Sequence, residues 1–498
     1  MKREEIREIA GAVDRSGWKK VEVEYGKDFL EISVPPDCRV LTMKEMPVIA
    51  DSPAAIRAAL ARPIQSPTLA EIVRRKAKRP EDVTVAITVS DITRPVPYKG
   101  ENGIMAPLLQ ELAAAGIGRS NITIVVGTGM HRPSTEREKL VMLGEEVCRD
   151  YRIVDHDCED LDSLAHVGKT RTGGDVYVNA VFHRADVRIA TGLVESHFMA
   201  GVSGGRKSIC PGLVDRRTIQ KFHSPAFLES PLADNLILEG NPCHEESLEV
   251  ALTVGVDFIV NVNLDRDMRL LKVVAGDLVA AHREAYEFVR GYAAIVVDEP
   301  FDIVLTHGGY VGMNHYQTEK AACHALPIVK KTGTIIIAAD NRDADPIGGL
   351  EYRSLLHLLK LQGADGYLRI LQSPSWNFTK DQWGPEEWGK VVRKVGEEGL
   401  IYCAPAISRE EYCMLPGRCG LDFLCEADSP SETDLKKAAE MVQNAFLFAW
   451  DRQRRNRERP STAFIREGPY AVPMLKGARS LRPPSRQDER GCYGRQSS

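Results

Sequence analysis

Three side chains that can do chemistry at neutral pH, His197, Lys207 and His223, lie close together in the middle of the chain. Lys207 belongs to the run 203–208 (Ser-Gly-Gly-Arg-Lys-Ser), in which the glycines allow positive φ angles and a close approach of the backbone to a ligand. The run predicts an anion-binding loop with two cations, Arg206 and Lys207, pointing at the ligand. We interpret Lys207 as the anchor of a cofactor on which the two histidines act.

A third histidine, His131, follows an apolar run at 121–126, as His197 follows the apolar run 187–194. Imidazole has a pKa near 6.5, so it moves protons at neutral pH, and its neutral nitrogen also binds metals of intermediate softness. Proton transfer on opposite faces of a substrate needs two such groups. A metal ion would need another one.

The turn after the apolar run 83–89 carries Asp91, Thr93 and Arg94, followed by proline. Asp91 and Thr93 could simply cap exposed N–H groups. Arg94 stands beside a rigid Pro-Val-Pro turn, where a guanidinium can recognise a carboxylate or phosphate with two hydrogen bonds. The turn is therefore a candidate binding element for cofactor or substrate.

Three further candidates lie later in the chain. Gln317 and Lys320 have i, i+3 spacing, so they share one face if the segment is helical, either as a ligand-binding pair or as a solvated surface pair. Trp383 is either a core aromatic or a lid over a pocket.

The order of apolar and polar runs indicates an α/β fold with two α/β domains and mainly parallel sheets. β-branched apolar runs at 83–89, 121–126, 187–194 and 257–263, and again at 301–309 and 333–339, are typical of buried parallel strands. Ligands of such sheets bind at the carboxyl ends of the strands, so we expect the polar loops to meet at one edge and the active site to lie in the interdomain cleft.

We expect an N-terminal domain over 1–292 that carries the lysine and the histidines, and a second domain over 293–432 that closes the cleft. Residues 433–476 predict a helix and a strand that could return to the first domain. The stretch 477–498, rich in Arg, Pro, Ser, Gly and Gln, is expected to be disordered.

Composition limits the classes of partner. The 498 residues carry a net charge of −5, which provides no basic field for nucleic acid. No apolar run approaches the roughly 18 residues that a membrane span needs, so we expect no membrane partner and a cytoplasmic protein. The 11 scattered cysteines suit reduced thiols, and the group at 403, 413, 419 and 425 lacks the C-x-x-C spacing of a zinc site.

Two other functions compete. The run 201–208 fits the phosphate-binding P-loop pattern except that Arg206 takes the place of the second required glycine, so an NTPase or kinase is one alternative. A non-catalytic binding protein that has kept these loops is the other.

Taken in order, these pieces resemble the nickel-pincer nucleotide-dependent lactate racemase family. The pieces that carry the resemblance are 91–95 (Asp-Ile-Thr-Arg-Pro), 127–132 (Gly-Thr-Gly-Met-His-Arg), 197–212 with its histidine and lysine, His223, 317–320 (Gln-Thr-Glu-Lys) and 381–383 (Asp-Gln-Trp). The family resemblance covers most of residues 80–390. The loop at 127–131 is more spacious than the tightest Gly-Thr-His form of the family.

The resemblance implies a cofactor, Ni(II) pyridinium-3,5-bisthiocarboxylic acid mononucleotide, attached covalently at Lys207, with His223 as the protein ligand of the nickel. It implies that His131 and His197 are the catalytic acid/base pair. It assigns cofactor binding to Lys207, Asp91, Thr93, Arg94, Gly204 and Gly205, and substrate binding to Arg94, Gln317, Lys320 and Trp383.

The implied reaction is isomerisation, racemase or epimerase, at C2 of a 2-hydroxy acid. Hydrogen leaves C2 as hydride to the cofactor while one histidine takes the hydroxyl proton, and both return on the opposite face. The resemblance also implies transient contact with cofactor-synthesis proteins. The sequence leaves open which acid is used, whether one or several centres are present, and the oligomeric state.

Overall fold

The computed structural model describes residues 3–76, 78–425, 434–455 and 458–478 and divides the chain into two compact units. The continuous unit comprises residues 45–292. The split unit comprises residues 1–44 together with the chain from 293 onward.

Sixteen helices are present in the described residues, besides short 3-10 turns. In chain order they are α1 (Arg3–Ala12), α2 (Ser52–Ala61), α3 (Leu69–Arg75), α4 (Met105–Ala114), α5 (Glu136–Leu143), α6 (Glu145–Asp150), α7 (Ala180–Arg184), α8 (Arg216–Phe222), α9 (Pro225–Leu228), α10 (Pro242–Val254), α11 (Ala280–Ala293), α12 (His315–Ala325), α13 (Leu350–Leu371), α14 (Trp383–Val395), α15 (Arg409–Tyr412) and α16 (Asp434–Arg454).

The same residues form twenty strands. They are β1 (Lys19–Tyr25), β2 (Asp28–Val34), β3 (Arg39–Leu41), β4 (Val85–Ser90), β5 (Ile122–Gly127), β6 (Arg152–Asp155), β7 (Leu164–Lys169), β8 (Asp175–Asn179), β9 (Val187–Leu193), β10 (Ser196–His197), β11 (Gly201–Val202), β12 (Phe258–Leu264), β13 (Leu270–Gly276), β14 (Ala294–Val297), β15 (Phe301–His307), β16 (Val329–Ala338), β17 (Leu400–Cys403), β18 (Arg418–Cys419), β19 (Thr462–Ile465) and β20 (Val472–Leu475).

The continuous unit is built on a six-stranded sheet in the order β13-β12-β9-β4-β5-β6. All neighbours run parallel except β12 and β13, which are antiparallel. The strands β4, β9 and β12 are buried along nearly their whole length, as expected for β-branched runs covered on both faces. The predicted α/β class with mainly parallel sheets is confirmed.

Three neighbouring strands of this sheet end where the candidate residues begin. β9, β4 and β5 are adjacent and parallel and end at Leu193, Ser90 and Gly127. Their carboxyl ends therefore lie along one edge. This edge receives the polar loops that carry His197, Asp91 and His131.

The split unit has its own six-stranded sheet, in the order β18-β17-β16-β15-β19-β3, in which every pair is parallel. Its central strand β16 is completely buried over its last six residues. A separate hairpin, β1 with β2, and a parallel pair, β14 with β20, complete its strands.

The division of the chain corrects two of the expectations. Residues 1–44 do not belong with the lysine-bearing domain: β3 pairs with β19, and the ring of Trp18 contacts Trp450 and Phe446 of α16. The strand β19 likewise does not return to the first domain, because it pairs with β15. Both segments supply strands to one sheet, and hydrogen-bonded pairing is not visible in local sequence patterns.

Two further findings concern the expected absence of a membrane span and the expected disordered tail. No helix among the described residues is long and apolar enough to cross a membrane. The tail from 479 to 498, for which disorder was expected, lies outside the described residues.

Replacing Ile337 by alanine should destabilise the split unit by about 2–5 kcal/mol, because Ile337 is fully buried in β16 and its removal leaves a cavity. Leu361→Ala is the control, since that side chain is 69% exposed in α13, and should change the free energy of unfolding by less than about 0.5 kcal/mol. Urea unfolding followed by fluorescence measures both. Equal effects would contradict the described core.

Candidate active site

The segment that follows β9 is fixed to the sheet edge by its own hydrogen bonds. β10 and β11 form a short antiparallel hairpin that pairs His197 with Gly201. Gly201 has a φ of +77°, and a Cβ atom there would lie 2.3 Å from the carbonyl oxygen of Ile237. The Ser203 hydroxyl donates to the Leu193 carbonyl oxygen at 2.7 Å. The hairpin therefore holds His197 at one position.

Arg206 does not point at a ligand, contrary to the expectation of two cations in the loop. Its side chain is 1% exposed, and its Nη2 donates to the carbonyl oxygens of Ala200 (2.7 Å) and Val202 (2.9 Å). Its Nη1 lies 2.8 Å from Nε2 of His282. Arg206 thus ties the hairpin to α11 from inside the protein.

The two glycines of the loop serve internal packing. A Cβ on Gly204 would lie 2.6 Å from Val194, and one on Gly205 would lie 2.5 Å from the ring of His282. The Gly205 N–H donates to the side-chain oxygen of Asn261 at 2.9 Å. The close approach at Gly204 and Gly205 is therefore to protein atoms, and the Gly205 N–H already has an acceptor.

Lys207 is held on the 3-10 turn Gly205–Ser208, with only part of its side chain exposed. Its Nζ lies 2.8 Å from Nε2 of His197 and 5.2 Å from the ring centre of Phe222. The neighbouring Ser208 hydroxyl donates to the Thr191 carbonyl oxygen at 2.7 Å. Burial, and then the charges of Arg94 and Arg206, hold the pKa of Lys207 well below its ordinary value.

The hydrogen bonds of His197 define its tautomer. Its Nδ1 accepts from the backbone N–H groups of Met199 (3.2 Å) and Ala200 (3.4 Å). A neutral imidazole carries one proton, so that proton is on Nε2. The contact at Nε2 is then a hydrogen bond that the Lys207 amine accepts, which requires the amine to be neutral.

His131 is paired with Asp91. The His131 Nδ1 lies 2.6 Å from Oδ2 of Asp91, whose other oxygen accepts from the backbone N–H (3.2 Å) and hydroxyl (2.6 Å) of Thr93. Asp91 is buried, whereas the His131 side chain is 43% exposed. A carboxylate on Nδ1 places the proton there and leaves Nε2 as the basic nitrogen of His131.

The ionisation of Asp91 favours this pairing. Burial raises the pKa of its carboxyl group, but the hydrogen bond and charge of His131, the hydrogen bond from Thr93 and the charge of Arg94 together outweigh burial, so the pKa is lowered. Asp91 is accordingly ionised at neutral pH. The contacts present make Asp91 and Thr93 partners of His131 and of each other.

His223 is the residue that follows α8, directly after Phe222. Its Nδ1 lies 3.0 Å from the Ile219 carbonyl oxygen, to which it donates, so the lone pair is on Nε2. Burial is the main cause of a pKa of about 3 for His223, and a positive charge on Lys207 or on His131 would lower that pKa further. The imidazole of His223 is thus neutral at physiological pH.

These electrostatic effects identify which predicted residues the fold brings together. The pKa of His223 is sensitive to charge on Lys207 and His131, and the pKa of Lys207 is sensitive to the charge of Arg94, so these side chains lie near one another. Together with the hydrogen bond from His197 to Lys207, they define one cluster in the continuous unit. The cluster does not resemble a phosphate-binding P-loop, because the loop N–H of Gly205 and the amine of Lys207 are both used internally.

The remaining three candidates lie in the split unit. Gln317 and Lys320 are on one face of α12, as predicted, and both are partly exposed. Trp383 is 8% exposed, and its Nε1 donates to the Tyr316 hydroxyl at 3.1 Å.

Three residues that contact the loop 203–208 were not predicted from the sequence: Phe222, Asn261 and His282. Phe222 and Asn261 are buried residues of α8 and β12, and His282 is a buried residue of the amphipathic helix α11. Only their contacts with the loop 203–208 reveal a role in positioning it.

Among the described residues there is no group of three or more His, Cys, Asp or Glu side chains that could hold a metal ion by themselves. The ten described cysteines are all free thiols.

The chain is similar to known racemases. Residues 25–234 match the family model for the lactate racemase N-terminal domain. The chain is 33% identical over 339 residues to the lactate racemase of Lactiplantibacillus plantarum, across 68% of this chain and 77% of that protein. It is 32% identical over 329 residues to the lactate racemase of Thermoanaerobacterium thermosaccharolyticum, across 65% of this chain and 75% of that one.

Solved structures show the same similarity. The lactate racemase apoprotein of T. thermosaccharolyticum superposes with a TM-score of 0.76 at 26% identity, covering 91% of this chain and 100% of that one. A protein from Thermotoga maritima shares the fold, with a TM-score of 0.58 at 16% identity. The superposition covers 86% of this chain and 100% of that one.

Replacing Arg206 by alanine should lower the free energy of unfolding by about 3 kcal/mol or more, because the carbonyls of Ala200 and Val202 lose their buried donor. Arg94→Ala is the matched control, since that arginine is partly exposed, and should cost less than about 0.5 kcal/mol. Urea titration compares the two variants. A stable Arg206→Ala protein would show that Arg206 is not a framework residue.

Proposed function

The chain belongs to the lactate racemase family and is therefore an isomerase, and on that premise we propose that it inverts C2 of a 2-hydroxy acid with a nickel-pincer nucleotide attached to Lys207. The observation that carries the proposal is the position of the Lys207 amine. It is hydrogen-bonded to His197, lies over the ring of Phe222 and interacts electrostatically with His223 and Arg94. Lactate is the first candidate substrate, because the curated relatives are named lactate racemases.

The lysine fits covalent attachment of a cofactor. A bond from Nζ to a carboxyl-type carbon forms only from the neutral amine, because a protonated amine has no lone pair. The tautomer of His197 requires a neutral amine, and burial favours it by lowering the pKa of Lys207. The nearby Arg94 supplies a positive charge for an acidic group of the mononucleotide.

His223 fits the role of nickel ligand. Neutral imidazole is a preferred nickel ligand, and the His223 ring stays neutral with its lone pair on Nε2. Its hydrogen bond to the Ile219 carbonyl oxygen orients the ring, as is usual for metal-binding histidines. The pincer of the cofactor would provide the other ligands, two sulfurs and a carbon.

When bound, the cofactor would accept the hydrogen of substrate C2 as hydride and return it. His131 and His197 would transfer the hydroxyl proton. One would accept it from one enantiomer, and the other would donate a proton to the oxygen of the planar 2-keto acid from the opposite side. The basic Nε2 of His131 suits the accepting role and the protonated Nε2 of His197 the donating role, in one direction of the reaction.

Asp91 acts through His131 rather than on the cofactor. Its carboxylate holds the proton on Nδ1 and stabilises the imidazolium that forms when Nε2 accepts a proton. Thr93 holds the carboxylate in turn. The assignment of Gln317, Lys320 and Trp383 to substrate binding stays a prediction, as do the cytoplasmic location and transient contact with cofactor-synthesis proteins.

Protein made together with the cofactor-synthesis enzymes should carry a stable mass increase on the peptide containing Lys207 and one equivalent of nickel. Lys207→Ala should lose the mass increase, and His223→Ala should keep it but lose nickel. Peptide mass spectrometry and metal analysis give the result. A racemising protein with unmodified Lys207 would overturn the proposal.

Replacing Asp91 by asparagine should lower kcat about 10²–10⁴-fold with little change in KM, because an amide does not hold the His131 proton on Nδ1 as a carboxylate does. Thr93→Val keeps the carboxylate and removes one hydrogen bond, so we expect a loss below tenfold, about 1.4 kcal/mol or less. Chiral analysis of lactate turnover measures both, with the loaded fraction checked by mass. A normal kcat for Asp91→Asn would rule out the pairing.

A further inference from the structure

The Lys207 amine and the His197 ring make a contact that the racemisation cycle does not use. Once Lys207 carries a cofactor, its nitrogen is amide-like and no longer basic, so it cannot accept a hydrogen bond of the same kind. The 2.8 Å contact between Nζ and Nε2 therefore belongs to the protein before attachment.

Both partners of this contact are fixed in place. His197 is held by two backbone N–H groups on its Nδ1, by the hairpin of β10 and β11, and by stacking on Phe198 with ring centres 5.2 Å apart. Lys207 is held on a turn that Ser208 and Gly205 tie to Thr191 and Asn261. The amine is thus presented at one defined position.

We infer that His197 has a second task, before turnover begins: it holds the Lys207 amine in place as a neutral nucleophile for attachment of the cofactor, and attachment then releases His197 for proton transfer. The inference rests on the proposed function, because only a cofactor joined to Lys207 gives the amine this use. In this task His197 is a positioning residue, since it acts through Lys207.

The attachment is a condensation and needs no oxidant or reductant. The lone pair of Nζ forms a bond to the carbon of a thiocarboxylic acid group on the cofactor, and the carbon–oxygen bond of that group breaks. The oxygen leaves as water, with one proton from the amine and one from the thiocarboxylic acid. A thioamide remains, whose nitrogen lone pair is delocalised.

Release follows from this change in the nitrogen. The Nε2 proton of His197 loses its acceptor when the amine becomes a thioamide, and is then available to a substrate oxygen. Attachment and competence for proton transfer are therefore coupled through one hydrogen bond.

The test follows attachment, not turnover, in purified protein made without the cofactor. Excess pyridinium-3,5-bisthiocarboxylic acid mononucleotide is added, and the mass of the Lys207 peptide is followed with time. His197→Gln places an amide nitrogen near the position of Nε2, whereas His197→Asn places its amide near Nδ1 and cannot reach Lys207. His166→Ala is the control for effects of replacing any histidine, because His166 is exposed and paired with Asp175 in the same unit.

We expect attachment to slow at least about tenfold in His197→Ala and His197→Asn, because a misplaced nucleophile loses its favourable orientation. His197→Gln should attach within about threefold of the unaltered protein yet remain a poor racemase. A loop-holding role through Nδ1 alone would give the reverse order, with His197→Asn restored and His197→Gln not, and would overturn the inference.

Two failures are distinguishable. If the unaltered protein never acquires the mass increase on Lys207, the proposed function fails. If it does, and His197→Ala acquires it equally fast, the proposed function stands and the second task of His197 is refuted.

Discussion

A lysine can act as a nucleophile or as an attachment point at neutral pH only if its amine stays unprotonated, and the fold of the continuous unit is arranged around that requirement. Burial and two nearby guanidinium groups disfavour the ammonium form of Lys207. A histidine whose other nitrogen already accepts two backbone N–H groups offers the amine a donor and not an acceptor. The geometry of a loop thus determines the protonation state of a side chain ten residues further along.

The interior of the loop is held by groups that do no chemistry. Arg206 uses its guanidinium on two carbonyl oxygens and a histidine, and the two glycines make room for Val194 and His282. A buried, charged hydrogen-bond donor is costly to desolvate, so it is retained only where it satisfies several acceptors at once. This arrangement holds a short, irregular segment in place through side-chain hydrogen bonds and close packing.

Much of the fold of the continuous unit, and the placement of two site histidines, could be predicted from the sequence. The parallel strands followed from β-branched apolar runs, and the placement of His131 and His197 followed from the rule that polar loops gather at carboxyl ends of strands. The inward turn of Arg206 could not be predicted, because residue type does not say whether a cation in a glycine loop faces ligand or core. The pairing of Asp91 with His131, forty residues apart, likewise depends on which strands are neighbours.

The split unit imposes an order on folding during synthesis. Its edge strand β3 and helix α1 are synthesised before their partners β19 and α16, which follow more than 390 residues later. Ribosomes add about 5–20 residues per second, so β3 is without its partner strand for tens of seconds. The sequence of the continuous unit is complete before that partner is made. Over that interval the apolar side chains of α1 and β3 that are buried in the complete unit, such as Ile6 and Leu41, lack the segments that cover them.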